Sequence, residues 1–437
     1  MAGDNPINNF KQGGGGGDPS APQPQRTPYS EYQLDIYRAR LLEGRAPPAT
    51  TDPRGLEQQA REHMSPEGFG YVAGGAGAEE TVTANRVAFG NWRLVPRLLR
   101  PTAPRDLGVK LFGTRYDNPL VMAPVGVQEA YHEDRELGTA RACAELGVPF
   151  CVSTAASSTV EEIAEASSGS SAGLWYQLYW PLDDEITASL LGRARRAGCR
   201  VLLVTLDTHS MSWRPRDLDR GFIPFAVGSG NAMGFSDPVF RRKFAAQVNE
   251  GGEEDEDLAT PEGNPIAASL AWTAEVFSGY AHRWTELAKL RRMWGEGNPI
   301  VLKGILSVED ARLALEYGMD GIVVSNHGGR QLDGAIAALD VLPEIVDAVG
   351  GNMTVLFDSG VRSGADVINA LCLGAKGVLV GRPVIYGLGI AGKEGAQHVL
   401  ASILADLDQS MGLAGVNNIG ELTRDRLRRA PTLKSLF

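Results

Sequence analysis

Short apolar runs rich in Val, Ile, Leu and aromatic residues recur along the chain, beginning at Leu120, Phe150, Leu174, Val201, Ile300, Gly321, Thr354 and Gly377. Runs of this kind, apolar without strict alternation, read as strands buried on both faces of a parallel sheet. Between them lie segments with helical spacing, predicting helices over 134–145, 160–166, 185–197, 308–317, 339–349 and 365–373, several followed by the glycine that ends a helix. Eight β/α units predict a TIM (β/α)8 barrel over residues 116–430, with a doubly wound open sheet as the lesser alternative. The pattern turns helical over 32–63, so 31–115 reads as an N-terminal helical extension and barrel entry. Residues 1–30 hold five consecutive glycines and a Pro-Ser-Ala-Pro-Gln-Pro stretch, a composition expected to form a disordered arm, and 431–437 is read as a tail. The rhythm breaks once, after the fourth run. Residues 209–297, with the acidic stretch Gly251-Gly-Glu-Glu-Asp-Glu-Asp, read as a long, lid-like insertion over the barrel mouth.

Composition narrows the partners. The chain has 437 residues, 43% hydrophobic and 22% charged, as in an ordinary globular enzyme, and no apolar run reaches the length that spans a bilayer. A formal net charge of −11 argues against nucleic acid or an anionic membrane surface as partner. An anionic substrate must then be drawn in by a local basic pocket. Cys143, Cys151, Cys199 and Cys372 show neither zinc spacing nor a disulfide framework, no metal site is expected, and the first residues lack a secretory pattern, so a cytoplasmic address is expected.

The chemistry gathers at the strand ends, where barrel enzymes keep it. The sixth run leads straight into Ser325-Asn-His327-Gly-Gly-Arg330-Gln. Histidine exchanges a proton near neutral pH, arginine offers a charged fork that matches a carboxylate, and the two glycines remove bulk where a flat ligand must approach. The other runs end in Pro124-Val-Gly126, Ser153-Thr, Gln177-Leu-Tyr179, Thr205-Leu-Asp207, Lys303-Gly, Asp358-Ser-Gly360 and Gly381-Arg382. The last two strands form the usual phosphate corner, and Asp358-Ser-Gly-Val-Arg362 with Gly381-Arg382 supplies backbone donors and guanidinium groups for it. Together with Lys303, Gln177 and Thr205 they suggest a flat, hydrogen-bonding, phosphorylated cofactor.

Ser325-Asn-His-Gly-Gly-Arg-Gln331 resembles the active-site signature of the FMN-dependent α-hydroxy-acid oxidases and dehydrogenases, and the resemblance extends over about residues 50–430 through Tyr71-Val-Ala-Gly-Gly-Ala, Gln177-Leu-Tyr179, Thr205-Leu-Asp-Thr208, Leu302-Lys-Gly and Asp358-Ser-Gly-Val-Arg-Ser-Gly. It implies FMN as cofactor and a small 2-hydroxy acid as substrate, with a hydride equivalent passed to flavin N5. His327 becomes the base and Asp207 its carboxylate partner, expected to raise the histidine pKa. Arg330 and Arg214 bind the substrate carboxylate, and Tyr71 and Tyr179 hydrogen-bond the substrate. Lys303 sits by flavin N1 and O2, Ser153, Gln177 and Thr205 bond the ring, Pro124, Val125 and Gly126 approach N5, and Arg362 and Arg382 take the phosphate. Ser325, Asp358, Gly360 and Gly381 complete the cofactor set. A homotetramer or homo-octamer is implied as well.

Gly126 and Ala155 stand where many members of the family carry alanine and a bulky aromatic. With Trp213-Arg-Pro-Arg-Asp-Leu218 and Tyr179-Trp-Pro181, they make the chain resemble the lactate 2-monooxygenases, which convert L-lactate and dioxygen to acetate, carbon dioxide and water. Gly126 is expected to leave room beside the flavin edge, and Ala155 to widen the substrate pocket toward longer acids. The alternatives are an oxidase releasing keto acid and hydrogen peroxide, a dehydrogenase with another acceptor, a lyase using Lys303 as a Schiff-base nucleophile, and a catalytically silent flavin-binding protein.

Overall fold

The structure, a computed structural model, describes residues 28–250 and 256–430. Most of the expected arm, the tail 431–437 and the core of the acidic stretch lie outside the described residues. The end of the arm does not. Tyr29 is buried with its hydroxyl donating to the Leu146 carbonyl, and the Ser30 amide donates to Asp408, so the fold begins before residue 31.

Eight parallel strands close into a barrel: Leu120–Met122, Phe150–Ser153, Leu174–Leu178, Cys199–Thr205, Ile300–Ile305, Gly321–Val324, Thr354–Phe357 and Gly377–Val380. Each pairs with its neighbours in chain order and the eighth pairs with the first, aligning Val380 with Met122. These are the eight apolar runs. The helices Arg135–Leu146, Val160–Ala166, Asp184–Arg196, Val308–Glu316, Ala338–Val349 and Gly364–Cys372 fall where the sequence spacing predicts them.

Alternation along each strand decides what the barrel holds. One cluster of buried residues fills its interior, drawing Val121, Cys151, Trp175, Leu203, Val301, Val323, Leu356 and Leu379 from the eight strands in turn. Two positions further along each strand the same face presents Ala123, Ser153, Gln177, Thr205, Lys303, Ser325, Asp358 and Gly381. The interior is thus apolar at the N-terminal end and becomes polar within one pleat at the C-terminal end. Register sets these groups side by side, with Ser153 opposite Gln177 and Thr205 opposite Lys303.

The apolar end is plugged. A two-stranded hairpin, Val109–Leu111 with Thr114–Tyr116, inserts Leu111 and Tyr116, and the fully buried Trp175 lies edge-on to Phe112 and Tyr116 with its indole N–H 3.1 Å from the Tyr116 hydroxyl. The polar end is covered by the N-terminal helices Pro66–Ala73 and Glu80–Gly90 and by the insertion. Expected as a loop, the insertion is largely helical, with Pro238–Glu250 and Pro265–Val276 packed through Phe240, Phe244 and Trp272. Its last helix, Leu287–Trp294, packs on Asp184–Arg196 and serves as the barrel helix before the fifth strand.

Trp175→Ala empties the centre of the plugged end and should destabilise the protein by about 3–5 kcal/mol. A urea midpoint that does not fall would contradict this placement of the core.

Candidate active site

The sixth strand ends at Val324, and the turn that follows places His327, Gly328 and Gly329 at φ of 58°, 64° and 78°. Left-handed backbone is costly for a histidine and persists only where the surroundings hold it. They do so here through four side chains. Asn326 accepts from the Gly329 amide at 3.1 Å and exchanges two 2.8 Å amide hydrogen bonds with buried Asn85. The Ser359 hydroxyl accepts from the Asn326 and Gly328 amides at 3.3 and 3.1 Å and donates to Asp358 at 2.7 Å. Ser325 accepts from the His327 amide at 3.0 Å.

Held in this way, the imidazole lies with Nδ1 2.8 Å from Asp207 Oδ1, and the Thr208 hydroxyl donates to that same oxygen at 2.8 Å. An ionised carboxylate only accepts, so Nδ1 carries the proton and Nε2 is left basic.

Charge is balanced tightly around this pair. Lys303 is 4% exposed with Nζ 3.6 Å from Asp358 Oδ2. Burial pulls its pKa down, yet Asp358 and Asp207 together hold it above the ordinary lysine value. Burial opposes ionisation of Asp207 too, but His327 and Lys303 outweigh that and keep its pKa below the usual carboxylate range. For His327 the balance runs the other way: burial and then Lys303 lower its pKa, and the support from Asp207 does not make up the difference. The raised histidine pKa expected from the carboxylate partner is therefore corrected, because the same site also holds a lysine cation.

Beside the imidazole, two guanidinium groups make their hydrogen bonds to neutral groups. Arg214 is buried and bonds the Ser212 hydroxyl, the Arg330 carbonyl and the Gln331 side chain. Burial and the charge of Arg330 lower its pKa. Arg330 bonds the carbonyls of Tyr71 and Gly74 and lies 5.1 Å over the Tyr71 ring. Arg382 commits three of its five N–H groups to the carbonyls of Val72, Gly328 and Gly74, and burial brings its pKa down to about 10. A third cation thus ties the helix Pro66–Ala73 to the His327 turn.

An open cavity of about 1010 Å³ joins these groups. Tyr71, Pro124, Val125, Gly126, Tyr179, Arg214, Lys303, His327, Arg330, Asp358, Gly360, Arg362, Gly381 and Arg382 all line it. Five other residues singled out from the sequence stand behind its wall. Asp207 backs His327, and Ser325 braces it. Ser153, Gln177 and Thr205 form a buried chain in which Gln177 accepts from Ser153 at 3.1 Å and donates to Thr205 at 3.0 Å.

This cavity suits a flat phosphorylated cofactor. The Lys303 cation lines it with the buried Gln177 amide and the Ser153 and Thr205 hydroxyls behind the wall, and Arg362 lines it with the glycine turns of the last two strands. At Gly360, φ is 88° and an added Cβ would stand 2.9 Å from the Asn85 carbonyl, so only glycine leaves that turn open.

A model of the FMN-dependent dehydrogenases matches residues 60–429. The chain belongs to the FMN-dependent α-hydroxy-acid oxidase and dehydrogenase family. FMN is accordingly its cofactor and 2-hydroxy-acid oxidoreduction its chemistry. An FMN-dependent α-hydroxy acid dehydrogenase of Penicillium citrinum is 52% identical over 92% of this chain and 96% of its own length. An L-lactate oxidase of Lysinibacillus sphaericus is 39% identical over 83% and 89%. Among solved structures, a mandelate oxidase superposes with a TM-score of 0.72 at 36% identity, over 87% of this chain and 99% of that one.

Several lining residues of this family member were not singled out in the sequence. Met211, Phe225 and Phe277 come from the insertion, whose pattern carries no barrel period, and Tyr131 follows a short 3-10 turn after the first strand. Tyr179 packs on Phe277 at 5.0 Å and Phe277 on Phe225 at 5.3 Å, making one aromatic wall. Asn85 lies in a helix far from any motif and carries no sequence signal for its role.

Gly126 requires a correction. An added Cβ would lie 2.4 Å from the Ala155 carbonyl and 2.8 Å from its Cβ, so the room expected beside this glycine is already filled by the neighbouring loop. That carbonyl also accepts from the Val127 amide at 2.8 Å and cannot retreat freely. Gly126→Ala should cost about 1–3 kcal/mol of stability and loosen FMN retention; a variant with unchanged melting and flavin content would refute this packing.

Proposed function

We propose that the protein oxidises L-2-hydroxy acids to 2-keto acids with His327 as the base, a reading carried by the His327–Asp207 pair facing two guanidinium groups that no carboxylate among the described residues neutralises at contact distance. The substrate carboxylate binds Arg330 and Arg214, and the Tyr71 and Tyr179 hydroxyls orient the C2 oxygen. FMN, when bound, supplies the acceptor for the two electrons that leave C2.

His327 Nε2 takes the hydroxyl proton. Asp207 stabilises the imidazolium that results, while Thr208 holds the carboxylate in line. Lys303, Gln177 and Ser153 would hold the cofactor ring, and the lysine cation would favour negative charge on it. Because burial and Lys303 lower the His327 pKa, the ring is neutral and ready to accept a proton at neutral pH.

The wall of Tyr131, Phe225, Phe277, Met211 and Ala155 supports substrates with an apolar side chain larger than the methyl of lactate. Dioxygen is the acceptor we assign. The aromatic wall that the insertion lays along the cavity supports the monooxygenase outcome, in which peroxide and keto acid react before release. The filled space at Gly126 gives it no support. The second reading, an oxidase that lets both products go, is favoured by relatives named L-lactate oxidase and 2-hydroxyacid oxidase.

Two experiments test the proposal. A base must be neutral, so kcat/KM should fall as pH drops through the His327 pKa, with the acid limb below the ordinary histidine value. Asp207→Asn removes the one charge that raises this pKa, so the limb should move to still lower pH while kcat falls by about 10²- to 10⁴-fold. An acid limb that stays in place, or moves up, would sink the assignment. The second experiment follows the carbon of a labelled 2-hydroxy acid under air with excess catalase. Decarboxylated acid and carbon dioxide would establish coupled chemistry in the closed site, and intact keto acid would establish the oxidase.

A further inference from the structure

Behind the catalytic pair lies a second open cavity of about 1010 Å³, between the ends of the fourth and fifth strands and under the second half of the insertion. Its walls include Trp180, Tyr280, His282, Trp284 and Ile305, and Asp207 stands between it and the substrate cavity. Trp180 and His282 stack face to face at 4.1 Å with Tyr280 edge-on to the histidine, so one side of the cavity is built of aromatic rings packed on one another.

Three buried polar atoms of the residues that line it have no hydrogen-bond partner among the described residues: the Trp180 indole Nε1, Asp207 Oδ2 and His282 Nδ1, the last lying 3.5 Å from Glu286 Oε1. Trp180 is only 7% exposed, so its N–H has lost water without gaining an acceptor. A buried donor or carboxylate oxygen left in this state is expensive, and native proteins fill such places with a partner. Gly304 keeps the way to Asp207 clear. It lines the same cavity at φ 104°, and a Cβ there would sit 3.0 Å from Asp207 Cβ, Cγ and Oδ2.

We propose that this cavity is a second ligand site, for a small flat molecule carrying an N–H donor beside a carbonyl acceptor, of the aromatic carboxamide class, and that occupancy slows turnover through Asp207. The carbonyl accepts from Trp180, the N–H donates to Asp207 Oδ2, and the ring lies on the aromatic surface. The Trp180 and Asp207 groups are thereby matched in sign, while His282 Nδ1 keeps Glu286 beside it, whereas a simple cation would leave the indole N–H without an acceptor. The kinetic effect rests on the reading of His327 as base. A hydrogen bond to Oδ2 draws negative charge from Oδ1 and weakens its support of the imidazolium, while Arg330, Arg214 and the tyrosines are untouched. Occupancy should lower kcat and leave KM unchanged.

Benzamide is the probe, titrated calorimetrically into the flavin-loaded protein in the dark with the substrate cavity blocked by an unreactive 2-keto acid. Saturable binding of one molecule per chain is expected. Trp180→Phe keeps the ring but removes the N–H, and should weaken binding by about fivefold, the worth of one net hydrogen bond. Ala281→Trp, at an exposed position on the wall, should fill the space and abolish binding. In steady state benzamide should depress kcat at constant KM for the 2-hydroxy acid. No saturable binding, displacement by the keto acid, or binding indifferent to both variants would overturn the site, and tight binding with unchanged kcat would overturn its link to Asp207. Because binding is read without turnover, a flavin that no 2-hydroxy acid reduces would refute the proposed reaction and leave this test standing.

Discussion

A lysine cation buried at the top of a barrel interior is the constraint on which the rest of this site depends. Lys303 follows Val301 by two positions on the same strand and so must face inward, where it is almost sealed from water. An isolated charge there would cost several kcal/mol, and only close anions make it tolerable. Asp358, just beyond the seventh strand, and Asp207, just beyond the fourth, supply them. The carboxylate that steadies the lysine is also the one that orients His327, so the lysine and the imidazole share one charge balance. Burial, and after it the charge of Lys303, explain why the imidazole lies below the ordinary histidine pKa despite a carboxylate at hydrogen-bond distance.

The barrel was legible because strand parity is a local property. Apolar residues at Cys151, Trp175, Leu203 and Val301, each followed two positions later by Ser153, Gln177, Thr205 and Lys303, state both the strand and its inward polar end. Residues whose place depends on packing at long range were not legible. Phe225 and Phe277 reach the cavity because the insertion builds its own small core around Phe240 and Trp272 and lies down over the mouth. No periodicity announces that geometry. Gly126 shows the same limit from the other side, since a glycine beside a small alanine suggests space, and only the fold reveals that the alanine's own backbone occupies it.

Asp207 divides the mouth into two compartments of different character. On one side are guanidinium groups, tyrosine hydroxyls and the imidazole, a surface made for an acid. On the other, Trp180 and His282 make an aromatic side, and among the described residues no arginine or lysine is bonded to the carboxylate. The segments that separate them are short: Tyr179 faces one cavity and Trp180 the other, and Phe277 and Ser278 divide in the same way. Neighbouring residues in extended chain point to opposite sides, so a single layer of backbone serves both compartments.

The N-terminal extension belongs to the active site as much as the barrel does. His327 holds a left-handed backbone that a histidine would not adopt by itself, and two of the groups that enforce it come from outside the barrel strands. Asn85 pairs with Asn326, and Asp333 accepts from the amides of Ala78 and Thr81 at 2.7 and 3.0 Å. The Ala76 amide meets the Gly329 carbonyl at 2.9 Å, and Arg382 reaches from the eighth strand's end to Val72, Gly74 and Gly328 together. Removing any one of these leaves a buried polar group unmet at a turn already under strain, so its cost falls on the angle of the imidazole before it falls on the fold. The barrel supplies the polar layer, and the extension fixes the direction in which its histidine points.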